Sequence, residues 1–281
     1  MNVCFQGEVG AYSEHAARSL FADSELVPLA SFDDVFENVA SSRCDIGVIP
    51  IENSLFGSVH TNYDLLLEHD LIIRSEISLR IRHNLMRLAG SDSGSLEKIL
   101  SHPQALGQCK AFLRSTHPDA VLVPAYDTAG AAKLVAEQQL ERTGAIASRQ
   151  AAEEYGLEIV AADIETNHHN YTRFLALTRK DRDISLSAPT NGLYKTSVVY
   201  KLKDNVPGAL FKSLAVFALR DIDLFKIESR PLVGSPGRYV FYFDIGGSTD
   251  DDHVVRALDH LTELADDLKI LGSYPIGTVV E

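Results

Sequence analysis

Four short polar segments carry the side chains of this 281-residue chain that could hold or transform a small molecule. Gly7–Ser13 is a glycine turn running into a helical pattern. Free N–H groups at a helix start favour a carboxylate or phosphate, and a tight turn with a serine cap explains the same residues. Ile51–Gly57 (IENSLFG) follows an apolar strand pattern, so Glu52, Asn53 and Ser54 stand at a strand's C-terminal end. Open α/β sheets bind ligands there, and the clustering favours a functional role; the alternative is an ordinary Asn/Ser turn. In Ser101–Cys109 (SHPQALGQC), Pro103 suits the first position of a helix, which puts Ser101 and His102 at its cap. Gln104 and Gln108 then share a face. Leu106, Cys109 and Leu113 form that helix's apolar stripe, which makes Cys109 core rather than nucleophile. Asn170–Leu177 (NYTRFLAL) reads as a strand with Thr172, Phe174 and Ala176 on one side and Arg173 on the other. A Thr–Arg pair offers a hydroxyl donor and a bidentate carboxylate clamp; read alone, such a segment is more often an edge strand with a solvated arginine.

Other chemistries lack their residues. His168 and His169 are adjacent and share no helical or strand face, and no third ligand is evident, so no metal is expected. The Gly7–Gly10 turn lacks the three-glycine dinucleotide fingerprint, and neither a Walker loop nor a G-x-S-x-G elbow occurs. A net charge of −13 is the opposite of the basic face that nucleic-acid binding shows. No apolar run reaches the roughly 18 residues of a membrane-spanning helix. The N-terminus, MNVCFQGEVG, is too short and polar for a secretory signal. Cys4, Cys44 and Cys109 have no metal-type spacing. The expectation is a reduced, cytoplasmic setting with neither nucleic acid nor membrane as partner.

The elements that must position these segments follow two rhythms. Up to residue 180, short apolar runs alternate with helical patterns. Strands are expected at Asn2–Phe5, Asp45–Ile51, Val121–Val123 and Ala145–Ala147. Helices are expected around Ala16–Phe21, Val35–Ala40, Thr128–Leu140 and Arg149–Tyr155, the last stopped by Gly156. Ser31 and Asp34 read as a capping box. This alternation predicts an α/β domain with a largely parallel sheet. Residues 181–193 are polar and aperiodic, the best linker candidate. Beyond them the order becomes β-α-β-β-α-β, that of a ferredoxin-like unit. Its strands fall at Thr196–Leu202, Leu224–Ser229, Tyr239–Ile245 and near Lys269–Leu271. Pro207 opens one helix; Val254, Leu258, Leu261, Ala265 and Leu268 carry the other.

Taken in order, these segments resemble the prephenate dehydratase family, most specifically at IENSLFGSV (51–59), SHPQALGQC (101–109) and NYTRFLAL (170–177). AYDTAGAA (125–132) and GAIASRQAAEEYGL (144–157) also fit. The C-terminal unit resembles an ACT domain, with Pro207–Leu210 and Glu228–Pro231 matching the two motifs through which that family senses phenylalanine. The resemblance implies a dehydratase domain over 1–180, built like a two-lobed periplasmic binding protein, and an ACT regulatory domain over 194–281. It implies conversion of prephenate to phenylpyruvate with loss of carbon dioxide and water. No cofactor is implied, because aromatisation drives the reaction. Thr172 matches the family's catalytic threonine, and Asn53, Ser101 and Gln108 its active-site polar residues. Arg173, Ser13, Glu52, Ser54 and Phe174 are implied to bind substrate. Gly208, Ala209, Leu210, Glu228, Ser229, Arg230 and Pro231 are implied to bind L-phenylalanine as an allosteric effector, between subunits of a homo-oligomer, dimer or tetramer. The match starts at the N-terminus, so a monofunctional chain without an upstream chorismate mutase domain is expected. Two alternatives stay open: an arogenate dehydratase with the same fold and chemistry, and a non-enzymatic amino-acid sensor. The intact Thr172, Asn53 and Gln108 count against the sensor.

Overall fold

The computed structural model describes residues 1–91, 95–182, 192–204, 206–232 and 234–281. Its first apolar run forms β1 (Asn2–Gln6), in which Val3, Cys4 and Phe5 are fully buried. Then come α1 (Tyr12–Leu20), β2 (Glu25–Leu29), α2 (Phe32–Ala40), β3 (Ile46–Asn53), β4 (Gly57–Ser58), α3 (His60–Glu68) and β5 (Leu71–Arg80). The expected capping box opens α2. The Asp34 N–H donates to Ser31 Oγ at 3.1 Å, and the Ser31 N–H donates back to the Asp34 carboxylate at 3.1 Å. The middle of the chain forms β6 (Asn84–Leu88), β7 (Lys98–Ser101), α4 (Pro103–Gln108), α5 (Lys110–Thr116), β8 (Val121–Pro124) and α6 (Thr128–Glu137). It continues with β9 (Thr143–Ala147), α7 (Arg149–Glu154), β10 (Leu157–Ala161) and β11 (Tyr171–Arg179). The C-terminal part forms β12 (Tyr194–Leu202), α8 (Ala209–Ala218), β13 (Leu224–Pro231), β14 (Tyr239–Gly246), α9 (Asp252–Leu264), β15 (Ala265–Pro275) and β16 (Val279–Val280).

Among the described residues the strands build three sheets. One has the order β16-β5-β11-β3-β1-β2, with β4 on β3; the second is β10-β6-β9-β7-β8. As the alternation predicts, β1 runs parallel to β2 and β3, and β7 parallel to β8 and β9. Two strands depart: β4 is antiparallel to β3, and β6 is antiparallel to both β9 and β10. No helix lies between β5 and β6. Instead the chain passes from one sheet to the other at residues 81–83, and back again between β10 and β11. Those two crossings frame the site described below.

The third sheet, β13-β14-β12-β15, is antiparallel with the ferredoxin-like strand order. Helices α8 and α9 pack on it through Val216, Phe217, Val254, Leu258 and Leu261, against Val198, Tyr200, Phe241 and Phe243. Two local expectations need correction here. Helix α9 stops at Leu264; Ala265 and Leu268 belong to β15 but reach the same core, which prolongs the apolar spacing past the helix end. Pro207 does not start α8. It occupies the second position of a turn from Val206 to Ala209, closed by an Ala209 N–H to Val206 carbonyl bond of 3.0 Å. Gly208 takes φ 85° and ψ −3°, the type II geometry that proline followed by glycine favours, and caps the helix. Pro231 is the last residue of β13 and still pairs with Tyr239 of β14. Since β13 is an edge strand, the missing N–H costs no bond within the sheet. Of the expected linker at 181–193, residues 183–191 lie outside the described residues.

The chain divides into two compact units. One comprises Met1–Tyr63, Ile77–Phe174 and Val279–Glu281, and the other Asp64–Glu76 and Leu175–Thr278. Residues 64–76 therefore join the C-terminal unit despite their place in the sequence. Within it, Lys195 Nζ contacts both Glu76 carboxylate oxygens, at 2.7 and 3.0 Å, with the two side chains only 8% and 5% exposed.

Candidate active site

A cavity of about 500 Å³ opens in the first unit. Its walls come from the C-terminal ends of β1 and β3, the start of β11, the first turn of α1, helix α4, the 81–83 crossing and the turn before α6. These are strand ends and helix starts, the parts of an α/β fold whose backbone and side chains are free to meet a ligand.

Asn53 ends β3 and sets the polarity of the site. Its Oδ1 accepts from the N–H groups of Leu55 (3.0 Å) and Phe56 (3.1 Å), an Asx turn that fixes which way the amide faces. Nδ2 must then point the other way, donating to Asn170 Oδ1 at 2.8 Å and to Thr172 Oγ1 at 2.9 Å. The fully buried Asn170 passes the pattern on, donating from Nδ2 to Gln108 Oε1 at 3.0 Å. Its backbone carbonyl accepts from the Ile81 N–H at 2.7 Å, tying β11 to the 81–83 crossing. Gln108 Oε1 also meets His83 Nε2, which must therefore carry the ring proton, while Nδ1 faces the Tyr12 hydroxyl at 3.2 Å. Burial holds the His83 imidazole below its ordinary pKa.

This chain of donors has a direction, and its ends are free. Thr172 Oγ1 accepts from Asn53, which leaves the threonine's own proton uncommitted. Gln108 spends its carbonyl oxygen on His83 and Asn170 and keeps its amide N–H groups. Ala11 caps α1 with no side-chain hydrogen bond, so the first-turn N–H groups are open at the cavity beside Ser13. Ser13 is the second residue of the helix rather than its cap.

Of the residues expected at the site, Ser13, Asn53, Gln108, Thr172 and Phe174 line the cavity. Ser101, Arg173, Glu52 and Ser54 do not. Ser101 is fully buried as the last residue of β7, and its hydroxyl donates to the Ile146 carbonyl of β9 at 2.6 Å. The cap of α4 is His102. Arg173 lies on the far side of β11 from Thr172 and Phe174, as strand alternation requires, and pairs with Glu52 at 2.9 Å. Ser54 donates to the His169 carbonyl and accepts from the Tyr171 N–H, both at 2.9 Å, fastening the end of β3 to the start of β11. Residues 208–210 sit at the start of α8, and 228–231 end the edge strand β13, where Arg230 pairs with Asp64 at 2.9 Å.

Three site residues escaped the sequence reading. His83 lies in the crossing segment, which has no periodic pattern. Asn170 sits inside a recognised motif, but nothing in its spacing marks it as a buried bridge. Asp127 caps α6: its Oδ1 accepts from the Gly130 N–H, its Oδ2 from the Glu8 N–H at 3.1 Å. It is the one carboxylate among the lining residues, which include neither lysine nor arginine. Cys109 packs in the core with Leu106 and Leu113, and burial pushes its thiol up to about 12. Among the described residues no group of three His, Cys, Asp or Glu side chains is placed to hold a metal ion.

Comparison with known proteins places these features in a lineage. The family model described as prephenate dehydratase matches residues 3–182. A protein of Arabidopsis thaliana, named arogenate dehydratase/prephenate dehydratase 2, chloroplastic, is 47% identical across 100% of this chain and 74% of its own length. Among solved structures, prephenate dehydratase from Arthrobacter aurescens in complex with L-Phe superposes with a TM-score of 0.86 at 31% identity, covering 98% of this chain and 90% of that one. A protein described as GqqA, a novel type of quorum quenching acylase, superposes with a TM-score of 0.87 at 32% identity, covering 98% of each chain.

Proposed function

Because the chain belongs to the prephenate dehydratase family, we propose that it converts prephenate to phenylpyruvate, with loss of carbon dioxide and water, in phenylalanine biosynthesis. The C–C bond to the ring carboxylate breaks and its electrons pass through the diene. The ring becomes aromatic as the C–O bond at the opposite carbon breaks. Prephenate dianion and one proton give phenylpyruvate anion, carbon dioxide and water. The leaving oxygen is the difficult partner, because hydroxide departs poorly unless a donor meets its growing charge.

The observation that carries this reading is the direction of the Asn53–Thr172 hydrogen bond. With its oxygen already accepting, Thr172 is held as a donor toward the cavity, suited to the departing hydroxyl. A threonine hydroxyl is too weak an acid to give up its proton, so its part is a preorganised hydrogen bond. Gln108 amide N–H groups help orient the substrate, and the first turn of α1 with Ser13 takes the side-chain carboxylate. The absence of lysine and arginine from the lining favours the other carboxylate's departure: an ion pair there would stabilise the ground state and oppose loss of carbon dioxide. Ser101, Arg173, Glu52 and Ser54 act as positioning residues that fix β7, β3 and β11.

The C-terminal unit is proposed as a phenylalanine sensor that works as a homo-oligomer. Edge strand β13 exposes Phe225 and Ile227, and α8 exposes Phe211, apolar surface suited to a second copy. The buried, unpaired cysteines suit the reducing cytoplasm. The test is purified protein with prephenate, following phenylpyruvate and carbon dioxide together, with and without L-phenylalanine. One-to-one release that phenylalanine inhibits supports the reading; no turnover refutes it. Saturable phenylalanine binding by calorimetry, without effect on rate, refutes the regulatory part alone.

A further inference from the structure

Prephenate and arogenate differ at one position, a side-chain carbon that bears a keto oxygen in one and an ammonium in the other. Resting on the dehydratase reading above, we propose that Asp127 is the residue that discriminates between them, by receiving the ammonium of arogenate.

The placement of Asp127 is the first argument. Gly7 sits at φ +118°, and a Cβ there would stand 3.0 Å from Asp127 Oδ2 and 3.1 Å from Ala11 Cβ. The carboxylate therefore adjoins the uncapped start of α1, across a space that only glycine leaves open. An amino-acid side chain carries its carboxylate and ammonium on one carbon. A helix N-terminus next to a carboxylate is the matching pair of charges, one for each group.

Capacity is the second. Asp127 Oδ1 accepts one N–H from Gly130 and Oδ2 one from Glu8. A carboxylate offers about four acceptor positions, so each oxygen keeps one for a ligand. Local charge is the third. The neighbouring Glu8 is satisfied by Lys133 at 2.9 Å and by the Tyr126 hydroxyl at 2.5 Å. Lys133 is committed to Glu8, and burial pushes the Asp127 carboxyl above the ordinary range against the opposing pull of its two backbone donors and of His102. An ammonium would favour the charged form. The keto oxygen of prephenate brings no proton and would set lone pair against lone pair.

The test compares wild type with Asp127→Asn and Asp127→Ser, measuring kcat/KM on arogenate and on prephenate. Asparagine and serine both cap helices well, so α6 keeps its start in either variant. The expected result is that the ratio of kcat/KM for arogenate to that for prephenate falls at least about tenfold in both variants, mainly through a higher KM for arogenate. A ratio that stays at the wild-type value, whether or not both activities fall, reduces Asp127 to a helix cap and overturns the proposal. Wild-type turnover of prephenate without turnover of arogenate also overturns it and leaves the dehydratase reading standing. Turnover of neither substrate defeats that reading itself.

Discussion

Replacing Asn53 with aspartate exchanges one NH2 group for one oxygen and tests the direction of the hydrogen-bond chain. The bonds from the Leu55 and Phe56 N–H groups to Oδ1 survive, so the turn after β3 keeps its shape. The new oxygen faces Thr172 Oγ1, formerly 2.9 Å from a donor, and the threonine proton turns toward it. Thr172 then no longer donates into the cavity. Losing one such donor costs about 10²–10³ in kcat, or about 2.7–4 kcal/mol of barrier. KM should change little, because ground-state binding rests on other groups. The new oxygen also meets Asn170 Oδ1 across what was a 2.8 Å bond, at a cost of about 1–3 kcal/mol in stability. Chemical denaturation measures that cost, and steady-state phenylpyruvate formation measures the rate. A double-mutant cycle with Thr172→Val sharpens the result. Both changes remove the same proton from the same place, so the double variant should be about as slow as the slower single one. Losses that multiply, or an Asn53→Asp enzyme with normal kcat and raised KM, would refute the reasoning.

Two further outcomes follow from burial. Glu76→Ala strands the ammonium of Lys195 and should destabilise the protein by about 3–5 kcal/mol; adding Lys195→Met should recover most of it, and denaturant midpoints decide. His83 has a folded-state pKa below its unfolded value, so the unfolded chain binds more protons below about pH 6.5; the His83 share of stability is present above that pH and is lost as pH falls. The denaturant midpoint should therefore drop less between about pH 7.5 and 5.5 in His83→Gln than in wild type, and equal slopes would show that His83 is not held neutral.

How much was legible depended on whether a residue's neighbours in sequence are its neighbours in space. Strand alternation alone puts Thr172 and Phe174 together and Arg173 opposite, and the structure keeps that division. The capping box at Ser31 and the burial of Cys109 are equally local. Ser101 shows the limit. Its place before Pro103 suggests a cap, but whether its hydroxyl faces a cavity or the next strand depends on β9, more than forty residues away, whose Ile146 carbonyl claims it. His83 and Asn170 are linked through Gln108 where the chain crosses between two sheets, and no periodicity encodes a crossing. The end of α9 was obscured for another reason: with no loop before β15, helix and strand feed one core and their apolar spacings merge.

Thr172→Val bears most directly on the central claim, that a threonine hydroxyl held as a donor by Asn53 assists the departure of water. Valine keeps the branched shape and removes only the hydroxyl. Steady-state kinetics on prephenate should show kcat reduced by about 10²–10³ with KM nearly unchanged, and Thr172→Ser should recover most of the rate. A valine enzyme with near-normal kcat, or one impaired only in KM, would contradict the account.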